Sequence, residues 1–131
     1  KKPVVFKGWY KYTPGEKFID GTDVNNIVEV KDRIDECAIQ AVLYKVDTDD
    51  EVLTGFDINT SEKRVAVAAL SDKTAKVDYT YFDIPFEFLK DYEEGAKYKL
   101  AIVCSSSKEG DLFKGAGGST LILDELEVMG E

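Results

Sequence analysis

The sequence contains no histidine. That absence removes the commonest neutral-pH general base, the commonest metal ligand, and the Ser/His/Asp and Cys/His nucleophile systems together. The catalytic designs that survive are a paired-carboxylate glycosidase or a lyase working through Tyr, Lys or Arg. No apolar run approaches the roughly 18 residues of a membrane span, so insertion of this domain into a membrane is not expected. The chain opens Lys1-Lys2-Pro3, not with Met, and reads as an excised domain or mature fragment, so the lack of a leader-like run in it says nothing of compartment. Positive charge is in short supply: 17 Lys plus Arg stand against 26 Asp plus Glu, a net of -9. The basic residues form no stripe, so neither nucleic acid nor an anionic membrane is an expected partner.

Cysteine is scarce too. Cys37 and Cys104 both lie in strand-like runs, where a free thiol acts as a small core hydrophobe. Two inert thiols or one long-range bridge are both open at this level, since spacing along the chain gives no separation in space.

The 131 residues make one domain, large enough to bury roughly two-thirds of the unfolded chain's surface. Alternation of apolar and polar residues marks strands. Val4–Tyr12 places Phe6, Tyr10 and Tyr12 on one face and Val5 and Trp9 on the other, and Thr13-Pro14-Gly15 closes it as a turn. Residues 16–25 read as a loop and Asn26–Val30 as a short strand, with a charged approach at 31–36. Cys37–Val46 is nearly all apolar, with Cys37, Ile39, Ala41 and Leu43 on one face and Ala38, Val42, Tyr44 and Val46 on the other, as expected near a sheet centre. Glu51–Thr54, Arg64–Leu70, Tyr79–Phe88, Tyr98–Cys104 and Thr120–Val128 complete the set. Pro85 argues for an edge or a bulge. Leu121 and Leu123 have one parity and Leu126 and Val128 the other, which predicts a bulge near Asp124. About eight strands with local turns and no repeat imply an all-β fold, a two-sheet antiparallel β-sandwich over residues 1–131.

Aromatic side chains are the best candidate ligand surface, because Trp and Tyr stack on the apolar faces of sugar rings while their polar edges meet hydroxyls. Trp9, Tyr44, Tyr79 and Tyr81 are the candidates, with Gln40 and Arg64 to orient hydroxyls. Filling the core is the alternative use of each ring. Asp47, Asp49 and Asp50 offer oxygens to a structural calcium, or simply form a solvated turn. Asp124 is a second metal or hydrogen-bond candidate. No other cofactor is implied. Asn59-Thr60-Ser61 matches a glycosylation acceptor, relevant only in a eukaryotic secretory host. The segment from Gly110 to Ala116 puts alanine where a phosphate-gripping loop needs lysine, so its glycines serve turns instead.

These residues also carry a family resemblance. Gly8-Trp9-Tyr10-Lys11-Tyr12-Thr13-Pro14-Gly15, Ala41-Val42-Leu43-Tyr44, Leu53-Thr54-Gly55 with Asp57-Ile58 and Thr60-Ser61, and Ile84-Pro85-Phe86 resemble the putative carbohydrate metabolism domain of exported Bacteroides-type proteins. Tyr98 through Ser107, Gly110-Asp111 with Phe113, Gly115-Ala116, Gly118-Ser119-Thr120-Leu121, and Leu123 through Val128 extend the match across the chain. The resemblance implies a jelly roll similar to carbohydrate-binding modules. It also implies a C-terminal position in a longer exported lipoprotein of the cell envelope or outer-membrane surface. It carries no catalytic assignment. The function expected first is noncatalytic binding of a polysaccharide or other glycan, not enzymatic activity. One alternative is a structural or protein-interaction module with a surface-protein partner. The other is a small glycosidase or lyase, which requires a cleft with converging Asp/Glu or Tyr/Arg groups.

Overall fold

The computed structural model of the chain describes residues 2–54, 58, 60–72 and 74–130. Gly55, Asp57 and Asn59, which the sequence reading used as a strand end, a family signature and a glycosylation acceptor, lie outside the described residues. Among the described residues regular structure is β throughout, apart from one short 3-10 helix at Gly110–Leu112. The strands are β1 (Pro3–Thr13), β2 (Phe18–Asp20), β3 (Val28–Glu29), β4 (Ala38–Val46), β5 (Arg64–Ala69), β6 (Lys76–Pro85), β7 (Glu87–Phe88), β8 (Lys97–Ser105), β9 (Lys114–Ala116) and β10 (Thr120–Gly130).

They form three antiparallel sheets, ordered β10-β1-β6, β3-β2-β9 and β7-β5-β4-β8, where two were expected. The unforeseen third sheet uses β2 and β9, three residues each. Segments that short carry too few alternations to register as strands. The expected strand at Glu51–Thr54 is instead irregular chain.

The two larger sheets pack face to face through the residues whose parity pointed inward. Phe6, Tyr10 and Tyr12 of β1 and Phe82 of β6 meet Ile39, Ala41 and Leu43 of β4 and Val65, Ala66 and Ala68 of β5. Phe6 and Tyr10 meet the Phe82 ring edge-on at 5.2 and 5.9 Å, an arrangement that sets the positive ring edge against the negative face. β4 lies between β5 and β8, as its nearly continuous apolar run requires. Its other face is buried as well: Val42, Tyr44 and Val46 are covered by Leu53 and Ile58.

Two irregularities shape the sheet that carries β1. Lys7 pairs with Glu127 and Trp9 with Asp124, so three steps on β10 match two on β1. Glu125 takes the left-handed conformation there, at φ 51°. This is the bulge that the parity change demanded, and it returns Leu126 to the inner side, where it lies over Gly8. Pro85 ends β6, an edge strand, and the chain passes at once to β7 in the other large sheet. The hand-over is tied by the Phe86 N–H donating to Val4 O at 2.9 Å. A proline costs least at such a point, where no ladder bond continues.

Candidate functional site

Trp9 stands mid-strand on the outer face of β1, directly across from Tyr81 of β6 and Asp124 of β10. The Trp9 and Tyr81 ring centroids are 5.2 Å apart at a 58° tilt, and 39% and 46% of the two residues is exposed. Cross-strand opposition holds the pair in place, contributing about 0.5–1.5 kcal/mol beyond area burial. Tyr79 has the same parity and is also exposed, but the Lys11 ammonium lies 4.7 Å from its ring centroid and covers one face. One step further along, Glu127, Lys7 and Asp83 form the adjacent cross-strand row, with Lys7 Nζ 3.7 Å from Glu127. The result is a flat aromatic platform edged by carboxylates and lysines.

The other three expected ligand residues are elsewhere. Tyr44 is buried under Leu53, and its hydroxyl accepts from the Leu53 N–H at 3.4 Å. A ring with both faces packed cannot stack on sugar. Gln40 is half-buried on β4 and helps line a shallow hollow with Lys108 and Glu109. Arg64, half-buried at the start of β5, donates its Nε–H to Ser61 O at 3.1 Å.

A second arrangement was not singled out from the sequence. β4 ends where β5 and β8 begin, since both pair antiparallel with it. Lys45 and Asp47, Glu62 and Lys63, and Tyr98 are therefore brought to one end of the sheet. The connection between β7 and β8 adds Lys90, Asp91 and Glu93, and the group lines an open cleft of about 610 Å³ with Val65 in its wall. Only Asp47 was noted beforehand, as a calcium candidate. Strand order was the missing signal, because these groups lie far apart in sequence.

Within the cleft, Glu93 pairs with Lys45, and the Tyr98 hydroxyl accepts from the Glu93 N–H at 2.8 Å. The Lys45 ammonium holds the Glu93 carboxyl below its usual pKa, and Glu93 in turn raises that of Lys45. Lys90 donates to Glu62 O, and Lys63 pairs with Glu51 at the rim. The carboxylates of Asp47, Glu62 and Asp91 make no ion pair among the described residues, which leaves their oxygens open to a ligand.

Among the described residues no three His, Cys, Asp or Glu side chains are grouped to hold a metal. Asp49 instead pairs with Lys97 at 3.6 Å, and Asp124 is exposed opposite Trp9. Cys37, buried, and Cys104, half-buried, form no disulfide with each other. No helix among the described residues is long and apolar enough to cross a membrane.

Two solved structures resemble the chain closely. One is a putative glycoside hydrolase from Bacteroides thetaiotaomicron VPI-5482, with a TM-score of 0.89 and 35% identity over 99% of this chain and 38% of that one. The other is a putative glycoside hydrolase from Bacteroides vulgatus ATCC 8482, with a TM-score of 0.82 and 31% identity over 98% of this chain and 52% of that one. The chain thus spans between about a third and a half of the length of these relatives. No curated protein matches the sequence. These likenesses overturn two expectations, noncatalytic carbohydrate binding and the absence of enzymatic activity, because both relatives are described as hydrolases. The glycosidase alternative, which asked for a cleft with converging carboxylates, fits the findings better. The family described as "Putative carbohydrate metabolism domain" matches residues 1–129, and the chain belongs to it.

Proposed function

We propose that this chain acts in the hydrolysis of glycosidic bonds, with the reaction in the cleft lined by Asp47, Glu62, Asp91 and Glu93. The observation that carries this reading is the convergence of four carboxylates at the joined ends of β4, β5 and β8. The relatives' description as glycoside hydrolases supports it. Glycoside hydrolysis needs one carboxylic acid to protonate the departing glycosidic oxygen as its bond to the anomeric carbon breaks. A carboxylate on the other side takes the proton of the attacking water, or attacks first itself. Glu93, held ionised by Lys45, is unsuited to donate a proton. We assign the general acid to one of Asp47, Glu62 and Asp91, the cleft carboxylates outside the Lys45–Glu93 pair. Glu93 and the remaining pair supply the base and the hydrogen bonds to sugar hydroxyls. Trp9, Tyr81 and the open side of Tyr79 hold a distal part of the glycan by stacking.

A jelly-roll arrangement of the two larger sheets and an exported, cell-envelope location belong to the same proposal. The test is release of reducing sugar from plant and host polysaccharides by the chain and by its Asp47→Asn, Glu62→Gln and Asp91→Asn variants. Loss of the acid should lower kcat by about 10²–10⁴, so at least one of the three variants falls that far while remaining folded, and a second does so unless Glu93 is the base. Full activity in all three would rule out the cleft as the reacting site.

A further inference from the structure

Tyr98 lines two hollows. On one side is the charged cleft with Asp47, Glu62, Asp91 and Glu93; on the other is a groove of about 410 Å³ between β8 and β10, within the roughly 300–1,000 Å³ usual for ligand sites. The hollows adjoin at the Tyr98 ring, which is fixed from both: its hydroxyl accepts the Glu93 N–H at 2.8 Å, and Tyr92 stacks on it with centroids 4.9 Å and planes 14° apart. The connection between β7 and β8 also serves both, since Asp91 and Glu93 line the cleft and Tyr92 the groove. Their walls differ in kind. Leu43, Tyr92, Tyr98, Leu100 and Val128 line the groove, and no charged side chain among the described residues does. β8 and β10 are edge strands, so backbone N–H and C=O groups unpaired by any neighbouring strand lie along it as well.

We propose that the groove is a second sugar subsite, taking the uncharged unit bonded to the one in the cleft, so that the substrate is a neutral glycan of more than one unit. This rests on the cleft as the reacting site. Apolar side chains with backbone donors and acceptors between them suit a pyranose, whose C–H faces and hydroxyls need both. A uronate or sulfate there would give up water and meet no cation. It would also approach the Asp47, Glu62 and Asp91 carboxylates, in a chain of net charge -9. The cleft lysines do not offset that, because Lys45 and Lys63 are paired with Glu93 and Glu51 and Lys90 donates to Glu62 O. Holding the neighbouring unit keeps the bond between the two sugars beside the carboxylates. When that bond breaks, the departing sugar keeps the glycosidic oxygen and gains a proton, and the anomeric carbon takes the hydroxyl of water.

Reducing-sugar release is measured from neutral and acidic polysaccharides that share a backbone: mannan against mannuronan, and methyl-esterified against de-esterified polygalacturonan, with xylan and galactan added. The expected result is hydrolysis of a neutral member, with any acidic counterpart at least about 10-fold lower in kcat/KM. Leu100→Trp and Gly130→Trp fill the groove from the two strands that flank it, and Gly130 is exposed at the end of β10, so that variant should keep the fold. On the hydrolysed polysaccharide each should change kcat/KM by roughly 10-fold or more, whereas the fluoride of its single sugar, which occupies the cleft alone, should keep its rate. An equal effect on both substrates, or none, in folded variants overturns the subsite and leaves the reaction standing. So does faster hydrolysis of the acidic member. No hydrolysis of any of these polysaccharides overturns the reaction and the subsite together.

Discussion

The Asp35 carboxylate accepts the Ser119 hydroxyl at 2.6 Å across 84 residues of sequence. The same Oδ2 accepts the Ser107 hydroxyl at 2.5 Å and the Ala116 N–H at 3.0 Å, while Oδ1 accepts the Glu36 N–H at 2.9 Å. Ser119 Oγ also accepts the Gly15 N–H at 2.9 Å. Asp35 is 2% exposed and thereby ties the chain entering β4 to the turns after β8 and β9. Four donors converging on one carboxylate make a buried charge tolerable; without it they are orphaned. Asp35→Ala should cost about 2–4 kcal/mol in urea unfolding with an unchanged m-value, and Ser107→Ala only about 1 kcal/mol. Equal losses in the two variants would contradict the hub role.

Glycines near this junction are not equivalent. A Cβ on Gly15 would lie 2.2 Å from Gly117 O and 2.9 Å from Ala116 Cβ, and backbone cannot step aside cheaply. Gly117 has nothing within 4 Å of its own Cβ position. Gly15→Ala is expected to destabilise by roughly 2–3 kcal/mol, within the range for overpacking. Gly117→Ala should be neutral or stabilising by up to about 1 kcal/mol through the unfolded state. Thermal melts of the pair decide it, and similar midpoints would refute the steric reading.

Long strands were legible because alternation repeats over many residues. The faces of β1 and β4, the edge role of Pro85 and the bulge beside Asp124 all followed from it. Trp9 and Tyr81 were legible as separate outward-facing rings for the same reason, each having the opposite parity to a core aromatic, but their meeting across β1 and β6 was not. Tyr44 was not, because the Leu53 and Ile58 segment that covers the outer face of β4 has no pattern of its own. The cleft was illegible for a different reason. Its members come from four separate stretches, and only the antiparallel order β7-β5-β4-β8 brings them together. The charged run at 31–36 likewise gave no hint that one of its acids, Asp35, is buried.

Alkaline titration should separate the core tyrosines from the rest. Burial is the first cause that pushes the Tyr10 and Tyr12 hydroxyls up to about 12, and the Tyr12 hydroxyl donates to Ser106 O at 2.6 Å. Unfolded tyrosine ionises near 10, so between about 10 and 12 the unfolded chain has lost these protons and the folded chain has kept them. Their contribution to stability is whole below pH 10 and falls as pH rises toward 12. Tyrosinate absorbance should rise in two stages, the second coinciding with loss of near-UV circular dichroism. A single stage near pH 10 with the fold intact would show that these rings reach solvent.

The thiols should differ in rate but not form a bridge. Cys37 is fully buried and closed to reagents, and burial raises the pKa of half-buried Cys104, so Cys104 offers little thiolate at pH 7. Ellman's reagent should find two thiols after denaturation, and only slow reaction, at Cys104, in the folded chain. Reductant should leave the unfolding midpoint unchanged. A drop of several degrees on reduction would mean that a bridge exists.

Trp9 is the only tryptophan in the chain, so intrinsic emission reports the aromatic platform alone. At 39% exposure, beside Tyr81, it should emit as a partly hydrated indole and be quenched by acrylamide at an intermediate rate. If a glycan lies across Trp9 and Tyr81 while its scissile bond is in the cleft, binding should blue-shift the emission and protect it from acrylamide. Trp9→Ala should then raise KM by roughly 10-fold or more with kcat nearly unchanged, because stacking at a distance from the reacting bond stabilises ground and transition states alike. Whichever of Asp47→Asn, Glu62→Gln and Asp91→Asn removes the general acid should do the reverse, lowering kcat while the fluorescence titration keeps its midpoint. The contrast is informative because Trp9 and the cleft carboxylates sit on different elements, so their effects should add when combined. A fall in kcat on removing Trp9 would place the chemistry on the sheet face, beside Asp83, Asp124 and Glu127, instead of in the cleft.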